Sequence, residues 1–136
     1  MDFLYQDPYP ILKDDTHYKK LTSDYVKVEQ LGDREILVVD PKGLELLAQE
    51  AMDDVSFMLR SAHLQKLRNI IEDPEATDND RFVAYNLLQN AAVAVEGQLP
   101  SCQDTGTAIV VAKKGENVYT GVEDGEWLSK GIYNTY

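Results

Sequence analysis

The sequence predicts an α+β fold: an N-terminal arm and β-hairpin, a helical middle section, short β-strands after a cysteine-bearing loop, and a C-terminal helix. Three observations predict it. Alternating and β-branched residues flank Gly32-Asp33, apolar residues then recur at helical spacing from Leu44 to about Val95, and β-branched runs return after Gly106.

The arm comes first. Pro8 and Pro10 forbid a helix within residues 1–23, while Phe3, Leu4, Tyr5, Tyr9, Ile11 and Leu12 are too apolar for free solvent. An arm of this kind is expected to lie across another surface of the protein. In the stretch 25–31, Val26 and Val28 alternate with Lys27 and Glu29, and 34–39 reads REILVV, so the two stretches form a hairpin about Gly32-Asp33.

Asp40 is placed to cap a helix that has Pro41 in its first turn. Leu44, Leu47, Ala48, Ala51, Val55, Met58 and Leu59 define its expected buried stripe. A break is expected near Ser61, after which Leu64, Leu67, Ile70 and Ile71 continue the pattern up to Asp73-Pro74. Thr77, with Asp80 three residues on, resembles a capping box for a third helix. Val83, Leu87, Ala91 and Val95 are that helix's expected core face, and Gly97 its stop. Beyond the loop, 107–113 (TAIVVAK) and 117–120 (NVYT) read as two strands turning at Gly115-Glu116. The last helix runs from about Glu123 to the end. Ile132, Tyr133 and Tyr136 leave that helix in mid-pattern with no cap, glycine or proline after it, so the natural polypeptide is expected to continue. The organisation expected is an arm and hairpin over 1–40 and the first part of a catalytic domain over 41–136.

Composition excludes several classes of function. A formal net charge of −11 repels phosphate backbones, so no nucleic-acid partner is expected. No stretch approaches the roughly 18 apolar residues that a membrane span needs, so no membrane partner is expected either. The opening MDFLYQDPYPILKDD is acidic and lacks the basic start and apolar core of a signal peptide, which points to the cytoplasm. The single cysteine, Cys102, cannot form an internal disulfide, and one thiolate cannot hold a metal cluster that needs several.

Chemistry concentrates in Leu99-Pro100-Ser101-Cys102-Gln103-Asp104-Thr105-Gly106, between a helix and a strand. A soft ligand, an amide, a carboxylate and a hydroxyl follow one another on a loop held by rigid elements, where binding groups tend to sit. Each residue also has an ordinary reading. Cys102 can be a small buried hydrophobe, Gln103 a surface amide, and Asp104-Thr105-Gly106 a plain turn. Elsewhere, His63, His17 and Arg60 read as packed, solvated or paired side chains. Asp14-Asp15-Thr16 reads as an exposed turn or cap, and Trp127 with the last tyrosines as packing groups.

LPSCQDTGTAIV resembles the cluster-binding segment of class I fumarases, the iron–sulfur fumarate hydratases, and of their tartrate dehydratase relatives. YPILKDDTHYKKLTSDYV, DDVSFMLRSAHLQKLRNIIEDPEATDNDRFVAYNLLQNA and WLSKGIYNTY also look like the single-chain fumarases of this class, so the likeness covers essentially the whole chain. It implies reversible hydration of fumarate to (S)-malate at a 4Fe–4S cluster held by three cysteines, whose fourth iron acts as a Lewis acid. By the same resemblance Cys102 is the first cluster ligand, and Gln103 and Asp104 bind substrate. Asp104 is the candidate for proton transfer, or else for tying down the cluster loop. The remaining ligands and the carboxylate-holding arginines would lie further along a longer chain, and that enzyme would be a homodimer. Two alternatives stand beside this reading: a tartrate dehydratase-type hydro-lyase, and a non-catalytic module that needs a partner chain. The arm through Tyr25, which looks like the single-chain fumarases, argues against the former.

Overall fold

The computed structural model describes residues 3–7, 10, 17–102 and 106–136. Strands β1 (Val26–Leu31) and β2 (Arg34–Val39) pair antiparallel, with Val26 opposite Val39 and Leu31 opposite Arg34. The two-residue loop between them follows from glycine chemistry. Gly32 has φ 61 and Asp33 a negative φ, the pattern of a loop whose first central residue must tolerate the left-handed region.

Helix α1 (Pro41–Phe57) starts where its chemistry requires, with the Asp40 side chain accepting the Lys42 N–H at 2.8 Å and Pro41 in the first turn. The break expected near Ser61 is present. Helix α1 ends with the Met58 N–H on the Asp54 carbonyl, and α2 (Ser61–Glu72) begins after three extended or capping residues. Helix α3 (Asp78–Ala94) has the full reciprocal capping box. The Thr77 hydroxyl accepts the Asp80 N–H at 3.2 Å, and the Thr77 backbone N–H and hydroxyl both donate to the Asp80 carboxylate. These bonds, from the Thr77 side chain first and then its backbone, hold the Asp80 carboxyl below its ordinary value. Gly97, at φ 73, ends this stretch by donating to the Ala94 carbonyl.

The segment after the cysteine loop departs from expectation. Among the described residues 106–113 contain no strand, and 118–119 form a two-residue strand, β3 (Val118–Tyr119). The turn at Gly115 exists, with the Val118 N–H on the Gly115 carbonyl, but it does not close a local hairpin. It delivers β3 to the open edge of β2 in parallel, Leu37 opposite Val118, with the Leu37 N–H donating to the Asn117 carbonyl at 2.8 Å. The sheet order is β1-β2-β3, and the helices between β2 and β3 supply the crossover that a parallel pair requires.

Helix α4 (Asp124–Thr135) packs on α1, and α2 packs on α3. The α1–α4 contact is close because both surfaces are small. A Cβ at Gly131 would lie 2.2 Å from the Glu45 carbonyl oxygen, 2.7 Å from the Ala48 Cβ and 2.9 Å from the Gln49 N. Asn134 donates to the Glu45 carboxylate at 2.9 Å and Thr135 to the Gln49 carbonyl at 3.2 Å, fixing the end of α4 to α1. Gly131→Ala is therefore expected to destabilise the chain by about 3 kcal/mol, because the atoms it meets are largely backbone and cannot swing aside. Gly125→Ala on the same helix, with open space at its Cβ, is the control. Denaturant unfolding followed by Trp127 fluorescence compares the two, and equal midpoints would sink the prediction.

The buried faces agree with those expected in part: Leu44 and Leu59 of the first stripe are half-buried, as its spacing predicts. Ala48 and Ser56 are buried on α1, whereas Leu47, Ala51, Val55 and Met58 are exposed. On α3, Ala84 and Ala94 are buried and Leu87 and Ala91 half-buried, while Val83 and Val95 are exposed. On α1 and α3 the buried residues are small, whereas on α2 the expected Leu67 is buried and Leu64 and Ile71 are half-buried. Of the arm, Phe3, Leu4 and Tyr5 are exposed. The arm touches the body through Asp7 and Lys113 at 2.8 Å and through Lys19 and Glu50 at 3.8 Å.

Candidate functional site

The cysteine loop is reached from the end of α3 and is held on two sides. Ser101 is buried, and its backbone N–H donates to the Ser56 carbonyl at 2.7 Å, in the last turn of α1. Helix ends leave such carbonyls without a partner inside the helix, so the loop takes up one of them. Ser56 is fixed in turn by its hydroxyl on the Met52 carbonyl at 2.7 Å. One residue on, the Cys102 N–H donates to the Asn90 side-chain oxygen at 2.9 Å, from inside α3. Consecutive amides are thus tied to different helices.

Cys102 itself is an exposed free thiol, unlike the many lone cysteines that pack away as small hydrophobes. Its thiol is thus open to solvent on a backbone anchored at both 101 and 102, and a thiolate is the donor type that suits soft metals. Gln103 and Asp104 lie outside the described residues, as does Thr105; the described chain resumes at Gly106, with φ 70.

The other candidates gather elsewhere. His17, Arg60, Ser61, His63 and Lys66 line one open cleft at the start of α2, and no residue of Leu99–Cys102 lines it. Trp127 is half-buried with the Lys130 ammonium 3.9 Å from its ring centroid, whereas Tyr133 and Tyr136 are exposed. Asp14, Asp15 and Thr16 lie outside the described residues.

Residue-by-residue reading missed three groups. Asn90 and Ser56 are the loop's anchors; the signal available for Asn90 was a polar side chain inside a helical pattern, whereas Ser56 acts through its backbone carbonyl, which leaves no signal in the sequence. The third is Lys114, Thr120 and Asp124. Buried Thr120 donates to Asp124 and accepts from Lys114, while Lys114 pairs with Asp124. The Lys114 bond, and then that of Thr120, hold the Asp124 carboxyl below its ordinary value. This cluster ties the segment following the cysteine loop, and β3, to the first turn of α4.

Among the described residues, no set of three or more His, Cys, Asp or Glu side chains converges to hold a metal, and no helix is long and apolar enough to cross a membrane.

Residues 45–136 match the family model described as Fumarate hydratase (Fumerase). The chain is 55% identical over 134 residues to the protein named "Fumarate hydratase class I, anaerobic" of Escherichia coli (strain K12), covering 98% of this chain and 24% of that protein. It is 53% identical over 134 residues to "Fumarate hydratase class I, aerobic" of Salmonella typhimurium, covering 98% of this chain and 23% of the relative. With "Fumarate hydratase 1, mitochondrial" of Leishmania major it shares 50% identity over 124 residues, 90% of this chain and 23% of the relative. The chain spans about a quarter of the length of the curated relatives it matches.

Proposed function

The chain belongs to the fumarate hydratase family, and from that footing we propose that it supplies one corner of the active site of a hydro-lyase that interconverts fumarate and (S)-malate. The observation that carries this reading is the anchored, exposed Cys102, at the centre of the segment that resembles the class I cluster-binding loop.

The donor chemistry fits a 4Fe–4S cluster at one position. Cys102 offers a soft thiolate, the ligand type that holds such clusters, and it is the chain's single cysteine. The other two thiolates of a three-cysteine site must therefore come from polypeptide beyond these residues. When bound, a cluster with one iron free of thiolate supplies a Lewis acid for the hydroxyl and carboxylate of malate. The chain's own residues do the rest of the local work. Cys102 would hold one iron of that cluster through its thiolate. Gln103 offers an amide to the dicarboxylate, and Asp104 is our candidate to hold or move a proton at its carboxylate.

Residues 41–136 are then the first part of the catalytic domain, with 1–40 as arm and hairpin, and the complete enzyme is proposed to be a homodimer. A single-cysteine chain whose thiolate must stay reduced suits a reducing compartment, which we take to be the cytoplasm.

The test compares two polypeptides after anaerobic addition of iron and sulfide, following the ultraviolet absorbance of fumarate. The full-length polypeptide that carries this segment is expected to hydrate fumarate, and the 136-residue chain alone is expected to show no turnover. No turnover by the full-length polypeptide with its full iron content would refute the proposed activity. Turnover by the 136-residue chain would refute the need for further thiolates.

A further inference from the structure

Asn90 occupies an unusual place for its type. It sits well inside α3, where asparagine is a poorer helix former than alanine or leucine because its side chain competes for backbone bonds. Its side-chain oxygen is not used on its own helix. It accepts the backbone N–H of Cys102 at 2.9 Å, twelve residues away. The preceding amide, that of Ser101, is bound by the Ser56 carbonyl of α1 at 2.7 Å. Two rigid helices therefore fix the backbone on which the Cys102 side chain is mounted.

We infer that Asn90 is a positioning residue for the cluster ligand, holding the Cys102 amide so that the thiolate is presented in one orientation and the amide is not donated to sulfur. The inference rests on the reading of Cys102 as a ligand. Its physical basis is twofold. Groups that orient a metal ligand commonly change metal retention by roughly 10–100-fold when removed. Hydrogen bonds to cluster sulfurs also help set the reduction potential, so an amide released from Asn90 and turned toward sulfur shifts that potential. Because hydrogen bonding disperses charge on sulfur, the shift expected on release is toward less negative values.

The experiment uses the full-length, iron-loaded polypeptide with the substitutions Asn90→Leu, Asn90→Asp and Cys102→Ser. Asn90→Leu keeps the size and the helix but removes the acceptor, whereas Asn90→Asp keeps an acceptor in the same place. Iron release to a chelator, the potential of the cluster measured with its paramagnetic resonance spectrum, and helix content by circular dichroism are recorded for each. Asn90→Leu is expected to release iron roughly ten to a hundred times faster, with a less negative potential and unchanged helix content. Asn90→Asp is expected to release iron at the parental rate.

Parental iron release and spectrum in Asn90→Leu, while Cys102→Ser loses its cluster, would overturn the role of Asn90 and leave the ligand assignment standing. Loss of iron in both Asn90 variants together with helix content would make Asn90 merely structural, which also overturns the inference. Full iron content in Cys102→Ser would remove the ligand assignment itself, and the inference with it.

Discussion

Cys102→Ser, in the full-length polypeptide loaded with iron and sulfide, is expected to abolish the cluster and the hydration of fumarate together while leaving the fold in place. Serine keeps the size of the side chain but replaces a soft thiolate with a hydroxyl that stays protonated at neutral pH and binds iron–sulfur clusters poorly. The fold should survive because Cys102 is exposed and its contact with α3 runs through its backbone N–H, which serine retains. The measurements are iron and sulfide content, visible absorbance and the helical circular dichroism signal. A Cys102→Ser protein with its full iron complement would refute the assignment, and one that loses helix content with the iron would show the cysteine to be structural.

Asp104→Asn is expected to be nearly as severe, with a different signature. The substitution preserves shape and one acceptor oxygen but removes the ability to take up a proton near neutral pH. If Asp104 handles a proton, kcat falls by roughly 10²–10⁴ with the cluster intact, which corresponds to about 3–5 kcal/mol on the barrier. The limb of the kcat/KM–pH profile that reports the carboxylate should disappear as well. Iron content decides between the two roles left open for Asp104. A loss of iron in proportion to activity would mean that Asp104 ties down the loop, and unchanged kcat would remove it from both roles.

Legibility in the sequence followed the range over which each feature is determined. Caps are local, and Asp40-Pro41, Thr77 with Asp80, and Gly97 all act as their side-chain chemistry predicts. The hairpin about Gly32-Asp33 was legible for the same reason. The aliphatic run at 107–113 misled because β-propensity describes fit to a half-buried pleated surface, and no strand there offers one. Val118 and Tyr119 pair instead with a strand far back in the chain, a choice that no local pattern records.

The helical faces were legible in part: Ala48, Leu67, Leu87 and Ala91 are buried or half-buried as their spacing predicts, whereas Leu47, Val55, Val83 and Val95 are exposed. Periodicity locates an apolar stripe, but it does not record that α1 and α4 approach as closely as Ala48 and Gly131 allow. In the site, resemblance singled out Cys102, Gln103 and Asp104, and residue types alone did not. Asn90 stayed hidden because its partner is a backbone amide, which has no identity in the sequence.

The parallel pairing of β3 with β2 also orders events during synthesis. The hairpin and α1 can assemble as soon as they leave the ribosome, but the second edge of β2 has no partner until Val118 and Tyr119 have been made, three helices later. For that interval the nascent chain shows an unpaired strand edge whose half-buried residues are Ile36, Leu37, Val38 and Val39, the kind of template on which foreign strands add. Closure by so distant a segment is slow for its size, because the loop entropy is lost before any pairing compensates it. The two residues of β3 thus act as a late-arriving cover, and a ribosome stalled before them would release a chain prone to associate through that edge.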